Sequence, residues 1–244
     1  MKLKKLIIFI LIVLFIFFTY FFFKDEKLNY VSLGDSVAAG HNPYGQLGYG
    51  YTDYIKDYLE SNNKLKDYAN FAVSGYMTKD VINDIKNNRE ITIDNRTRNI
   101  REVLRESNVV TISIGANDFM SGITLNSLDL NDIDKYLKKI DGVSQDIDET
   151  LKIVREYAKQ DIIVIGYYNP FPILYKTNTT KIDNLFNYAD RKYIEICDKY
   201  DINFLSVYDL FKNNSKFLPN PFDIHPNIDG YKAIGNELIK TYFE

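Results

Sequence analysis

The sequence predicts an α/β fold: a five-stranded parallel sheet with helices packed on both faces. Three observations lead there. From Leu28 onward, short apolar or β-branched runs alternate with longer segments of helical period, the pattern of parallel strands joined by helical crossovers. The chain of 244 residues, 45% hydrophobic and 26% charged, has the size and balance of a sizeable globular domain. No internal repeat, low-complexity tract or linker interrupts residues 28–244, so they read as one domain behind a separate segment, residues 1–27.

That first segment is a different polymer. Met1 to Lys5 carries three lysines, and Leu6 to Phe23 is an uncharged run whose apolar character is broken only by Thr19 and Tyr20. As a helix it would span about 27 Å, close to a hydrocarbon core of roughly 30 Å. The run passes from Phe21-Phe22-Phe23 straight into Lys24-Asp25-Glu26-Lys27 without a small-residue cleavage site, which favours an uncleaved transmembrane signal-anchor over a removable leader. Lysines ahead of a span stay cytoplasmic. The expectation is therefore a single-pass protein of the cell membrane with its domain outside the cytoplasm.

Within the domain, strands are expected at Asn29–Leu33, Asp67–Val73, Asn108–Ile114, Asp161–Tyr167 and Ile202–Val207. Helical spacing marks Tyr51–Leu59, Thr78–Lys86 with Thr78 as N-cap, Asn95–Arg105, Ile133–Ala158, Asp183–Lys199 and Tyr231–Tyr242. In an open parallel sheet the ligand sits beyond the carboxyl ends of the strands, so a functional motif belongs directly after a strand.

Three motifs meet that condition. The first strand runs into Gly34-Asp35-Ser36, where glycine permits the tight turn that holds a serine hydroxyl clear of the sheet. The second leads into Ala72-Val73-Ser74-Gly75; Gly75 can bring its N–H to a substrate oxygen or be a plain loop glycine. The third enters Gly115-Ala116-Asn117-Asp118. There the Asn117 amide is a neutral donor suited to an oxyanion, or a helix cap, and Asp118 reads as a cap or Asx-turn residue. Near the C-terminus, Asp223-Ile224-His225-Pro226-Asn227 offers a histidine with a carboxylate nearby, as a base for a serine nucleophile requires. His41, the other histidine, reads as an ordinary loop residue.

Taken in order, these segments resemble the block pattern of the SGNH (GDSL-type) hydrolases across essentially all of residues 28–244. The resemblance implies a flavodoxin-like three-layer sandwich and a serine esterase working through an acyl-enzyme. Ser36 would be the nucleophile, His225 its base and Asp223 the acid. The backbone N–H groups of Ser36 and Gly75, with the Asn117 side chain, would form the oxyanion hole. One position departs from the pattern: the family usually places its acid three residues before the histidine, and here that residue is Phe222. Either Asp223, two residues before, reaches the ring, or a backbone carbonyl orients His225.

The resemblance implies carboxylic esters as substrates: lipid acyl esters such as lysophospholipids, or O-acetyl groups on cell-wall glycans. An acyltransferase with the same triad is one alternative. A non-catalytic carbohydrate- or lipid-binding module on the same fold is the other, favoured only by the displaced acid. Tyr44 and Tyr49, in the Gly- and Tyr-rich loop after the nucleophile, and Phe171, in the loop after the fourth strand, are the candidates for lining a substrate pocket. A net charge of -3 with no basic stripe gives no footprint for nucleic acid. With two histidines and one cysteine, Cys197, which reads as a buried thiol, no metal or cofactor is expected. The expected partners are the ester and, through the N-terminal helix, the membrane.

Overall fold

Alternation of side chains along the first strand sets the two halves of the core. In β1 (Leu28–Gly34), Val31 and Leu33 point into one hydrophobic cluster and Tyr30 into the other, as a two-residue period dictates. The computed structural model describes residues 27–93, 95–123 and 128–244. The remaining strands are β2 (Leu65–Asn70), β3 (Glu90–Ile93), β4 (Arg96–Asn99), β5 (Val109–Ser113), β6 (Asp161–Ile165) and β7 (Asn203–Leu205). Five of them form the expected sheet in the order β2-β1-β5-β6-β7, every neighbouring pair parallel. The chain departs from β1 in one direction and resumes at β5 in the other, so the crevice lies at the carboxyl ends of β1 and β5.

The helices are α1 (Ser36–Ala39), α2 (Tyr51–Ser61), α3 (Thr78–Lys86), α4 (Ile100–Glu106), α5 (Ala116–Met120), α6 (Ile133–Tyr157), α7 (Pro172–Lys199), α8 (Tyr208–Lys212) and α9 (Ile228–Tyr242). One face of the sheet is covered by Ile85 of α3, Leu104 of α4, Ile147 and Leu151 of α6 and Cys197 of α7. The other is covered by Ile55 and Leu59 of α2 with Ile234 and Leu238 of α9. These aliphatic side chains are fully buried, each contributing about 1.5–3 kcal/mol through loss of water contact. The result is the expected three-layer sandwich. The expected anchor lies outside the described residues; among those described, no helix is long and apolar enough to cross a membrane.

Several expectations are corrected. The helix expected over Asn95–Arg105 is confined to α4, because β3 and β4 pair as an antiparallel hairpin. Ile91 and Ile93 pack on the core, Asn95 takes a left-handed φ of 60°, and the Asn99 side chain accepts from the Glu102 N–H to start the helix. The helix expected from Asp183 begins already at Pro172, where proline loses no hydrogen bond, and is kinked at Asn178. Thr78 is the first residue of α3 rather than its cap. Its backbone N–H and hydroxyl both donate to the Asp118 carboxylate, at 3.0 and 2.6 Å. Strands β2, β6 and β7 stop at Asn70, Ile165 and Leu205, short of the expected Val73, Tyr167 and Val207. For β2 and β6, the residues left over become loops that build the site.

Candidate active site

The turn that presents Ser36 depends on a close approach between two strands. Gly34 lies opposite Ser113 in the β1–β5 register, with φ at +132°. A Cβ on Gly34 would stand 2.1 Å from the Ser113 carbonyl oxygen, so any side chain there would push β1 and β5 apart. The chain then turns sharply: the Asp35 N–H donates to the same carbonyl at 2.9 Å, and the Asp35 carboxylate caps α1 by accepting from the Val37 N–H at 3.0 Å. Ser36 is the first residue of that short helix and is 7% exposed.

The loop before α9 brings His225 to it. His225 Nε2 is 2.8 Å from Ser36 Oγ, and Nδ1 is 2.7 Å from Asp223 Oδ1. The same Asp223 oxygen accepts from the His225 backbone N–H at 2.8 Å, so one short loop orients both the ring and the chain carrying it. The carboxylate two residues before the histidine thus reaches the ring directly. Phe222, three residues before, is 96% exposed. With Nδ1 donating to the Asp223 carboxyl group, Nε2 turns its lone pair to the serine hydroxyl. Burial lowers the pKa of His225 below its ordinary value, against the opposing pull of Asp223, so the ring is neutral at neutral pH, as a base must be.

Gly75 occupies an exposed turn after β2 with φ at +85°. Asn117 sits in the first turn of α5, and its Nδ2 donates to the Tyr76 carbonyl at 2.8 Å. That bond fixes the amide plane with one hydrogen and leaves the second for another acceptor. Together with the Asp118–Thr78 bonds it clamps α5 to the segment that carries Gly75.

A cavity of about 160 Å³ opens between α6, α7 and the loop after β6. Ser36 and Asn117 line it; so do Phe119, Tyr136, Ile140, Leu185 and Phe171. Tyr44 and Tyr49 do not line this cavity. Tyr44 is 72% exposed, and the Tyr49 ring packs edge-on against Tyr54 while its hydroxyl donates to Asp57, so both are held on the outer side of their loop.

Two features escaped sequence reasoning. Asp35 is fully buried and accepts from the Tyr167 hydroxyl as well as from Val37; burial pushes its carboxyl up to about 7. His41 stacks on His225, ring centroids 4.6 Å apart and planes inclined by 16°. The only signal for either was closeness in sequence to Ser36. Cys197 is buried, and its thiol is pushed up to about 12 by desolvation. Among the described residues, no three His, Cys, Asp or Glu side chains are grouped to hold a metal.

Comparison with known proteins gives a family and a fold. Residues 32–233 match the GDSL-like Lipase/Acylhydrolase family. Among solved structures, the lipase Lip_vut3 from a goat rumen metagenome aligns with a TM-score of 0.69 at 21% identity, over 88% of this chain and 97% of that one. The acetylxylan esterase Axe2 from Geobacillus stearothermophilus gives 0.63 at 17%, covering 91% and 97%. An extracellular lipase from Streptomyces rimosus gives 0.64 at 18%, covering 86% and 98%. At these identities the likeness is one of fold. Among curated proteins, none matches the chain.

Proposed function

The chain belongs to the GDSL-like lipase/acylhydrolase family, and on that premise we propose that it hydrolyses carboxylic esters through an acyl-enzyme on Ser36. The observation that carries this reading is the unbroken chain of hydrogen bonds Asp223–His225–Ser36 at a strand-to-helix turn. His225 takes the Ser36 proton as Oγ attacks the acyl carbon. The developing oxyanion is received by the N–H groups of Ser36 and Gly75 and by the free hydrogen of the Asn117 amide. His225 then returns the proton to the leaving alcohol, and water repeats the sequence to release the acid.

The cavity supports an apolar acyl group rather than acetyl. The leaving oxygen must lie near His225 Nε2 to be protonated, whereas the cavity is lined by Ser36 and Asn117 but not by His225. The group it holds is therefore the acyl part of the ester. An apolar space of this size takes a group of about six carbons, comparable to the engineered cavity of roughly 150 Å³ that binds benzene.

The division at residues 27 and 28, the anchor and the external location rest on the sequence. An anchor joined to the start of β1 would hold the site at the far end of that strand, roughly 20 Å from the attachment point. Such an enzyme would work on esters presented away from its own bilayer.

The test is hydrolysis of p-nitrophenyl esters from acetate to dodecanoate, with Ser36→Ala and His225→Ala alongside. The reading predicts a loss of at least ~10⁴-fold in each variant. It also predicts a rise of up to roughly fourfold per methylene until the cavity is full. Turnover surviving in Ser36→Ala would overturn the mechanism, and a maximum at acetate would overturn the acyl preference alone.

A further inference from the structure

His41 meets Ser36, His225 and the residue before Gly75 without belonging to the triad. Its backbone N–H donates to the Ser36 carbonyl at 2.9 Å, and its own carbonyl accepts from the Tyr231 hydroxyl of α9 at 2.6 Å. Its ring lies nearly parallel to His225, and its Nδ1 is 2.7 Å from the hydroxyl of Ser74, the residue before Gly75. We propose that His41 is a positioning residue that couples the base to the oxyanion side of the site, backing the His225 ring while holding Ser74 and, through it, the Gly75 N–H. The proposal rests on the esterase reading.

The physical need for it is visible in the geometry. His225 is held in its own plane by Asp223 at Nδ1 and Ser36 at Nε2. Those two bonds and the Cβ–Cγ bond fix the ring at its edges, and packing on the ring face damps what tilt is left. His41 supplies that face, and its backbone is tied at both ends, so the support is rigid. The Gly75 turn has the complementary problem. It is exposed, and nothing lies within 4 Å of where a Cβ would be. The Val73 N–H bond to the Gly34 carbonyl and the Asn117 bond to the Tyr76 carbonyl hold its flanks, and the bond from Ser74 to His41 ties the residue next to Gly75 to the histidine side of the site.

The stack also bears on the protonation of His225. The titratable groups facing His225 are Asp223 on its own loop, which favours the imidazolium, and His41 on the loop after α1, which opposes it. The hydroxyls of Tyr168, from the loop after β6, and Tyr231, from α9, are occupied by the carbonyls of Ile224 and His41. Removing the His41 ring nitrogens therefore relieves a like-charge opposition to protonating His225.

The experiment uses the full chain with His41→Phe, His41→Ala, Ser74→Ala and the double variant His41→Phe/Ser74→Ala, assayed on p-nitrophenyl octanoate across pH 5 to 9. Ser74→Ala and His41→Phe are each expected to lower kcat roughly tenfold with KM little changed, since the oxyanion contact forms only in the transition state. The double variant should lose no more than His41→Phe, because both substitutions cut one link. His41→Ala, which also removes the backing ring, should lose more. The acid limb of kcat/KM should move to higher pH in His41→Phe and stay in place in Ser74→Ala. Ser74→Ala deletes one exposed hydroxyl, so a fall in kcat at an unchanged thermal midpoint is beyond a merely structural role and decides the matter even if the His41 variants fold poorly. Wild-type kcat in Ser74→Ala, losses that multiply in the double variant, or an acid limb unmoved in a folded His41→Phe would each overturn the proposal. Failure of the esterase reading itself would show separately, as turnover that survives Ser36→Ala.

Discussion

The loop His41–Gly50 and the loop Gly166–Phe171 both lie beside Ser36, and both are rich in aromatic side chains. The second turns its rings inward. The Tyr167 hydroxyl donates to buried Asp35, the Tyr168 hydroxyl to the Ile224 carbonyl at 2.9 Å, and Phe171 lines the cavity. Desolvation raises both phenols well above their usual pKa, so they remain protonated donors. The first loop turns outward, with Tyr44, Leu47 and Tyr49 exposed. A phenol is buried at little cost only where its hydroxyl finds an acceptor. The loop after β6 meets acceptors supplied by distant parts of the chain, whereas the loop after α1 meets few. Its contribution to the catalytic side is the His41 ring, which finds Ser74 and His225.

The contrast can be broken or sharpened by substitution on either side. The largest effect is expected where the cavity meets the reacting carbon: Asn117→Ala should lower kcat by about 10²–10³ with little change in KM, measured on any accepted ester. An unchanged kcat would mean that the Asn117 amide serves only its bond to Tyr76. Next, Phe171→Ala should lower kcat/KM for octanoate by roughly tenfold while sparing acetate. Tyr44→Ala and Tyr49→Ala should leave the octanoate-to-acetate ratio where it was. If the tyrosine variants changed that ratio and Phe171→Ala did not, the two loops would have been given each other's roles.

The smallest effect concerns stability. The folded-state pKa of Asp35 is raised to about 7, above the ordinary value of 3.8, so between those pH values the folded state holds a proton that the unfolded chain has lost. Stability from this residue accordingly falls as pH rises through that window and stays low above it. Asp35→Asn keeps an acceptor for Val37 and removes the buried charge. It should stabilise the fold at pH 8 by about 1–3 kcal/mol, with the gain vanishing near pH 4. Urea melts at the two pH values check this, and an equal effect at both would show that ionisation of Asp35 is not its source.

The contrast also marks what could be read from the sequence. The parallel sheet was legible because runs such as β5 and β6 are compact and apolar or β-branched and alternate with segments of helical period, and the order of the four motifs led to Ser36, His225, Asp223, Gly75 and Asn117. The β3–β4 hairpin was not, since Arg96–Asn99 is polar throughout and its pairing depends on a left-handed Asn95. Nor did sequence separate Phe171 from Tyr44 and Tyr49, because that difference is set by partners far away in the chain. The short spacing of Asp223 and His225 leaves two ways to orient the ring, and the fold uses the carboxylate, through an oxygen that meets both the backbone and the ring. The stacking of His41 was invisible for the same reason: it depends on the return of the chain near its C-terminus.

The central claim is that Ser36 forms the covalent acyl-enzyme, and trapping it is the most direct test. An octyl fluorophosphonate should add once per chain, with mass spectrometry locating the adduct on the peptide that contains Ser36. Labelling should vanish in Ser36→Ala and slow sharply in His225→Ala. An adduct on any other residue, together with ester turnover undiminished in Ser36→Ala, would contradict the account.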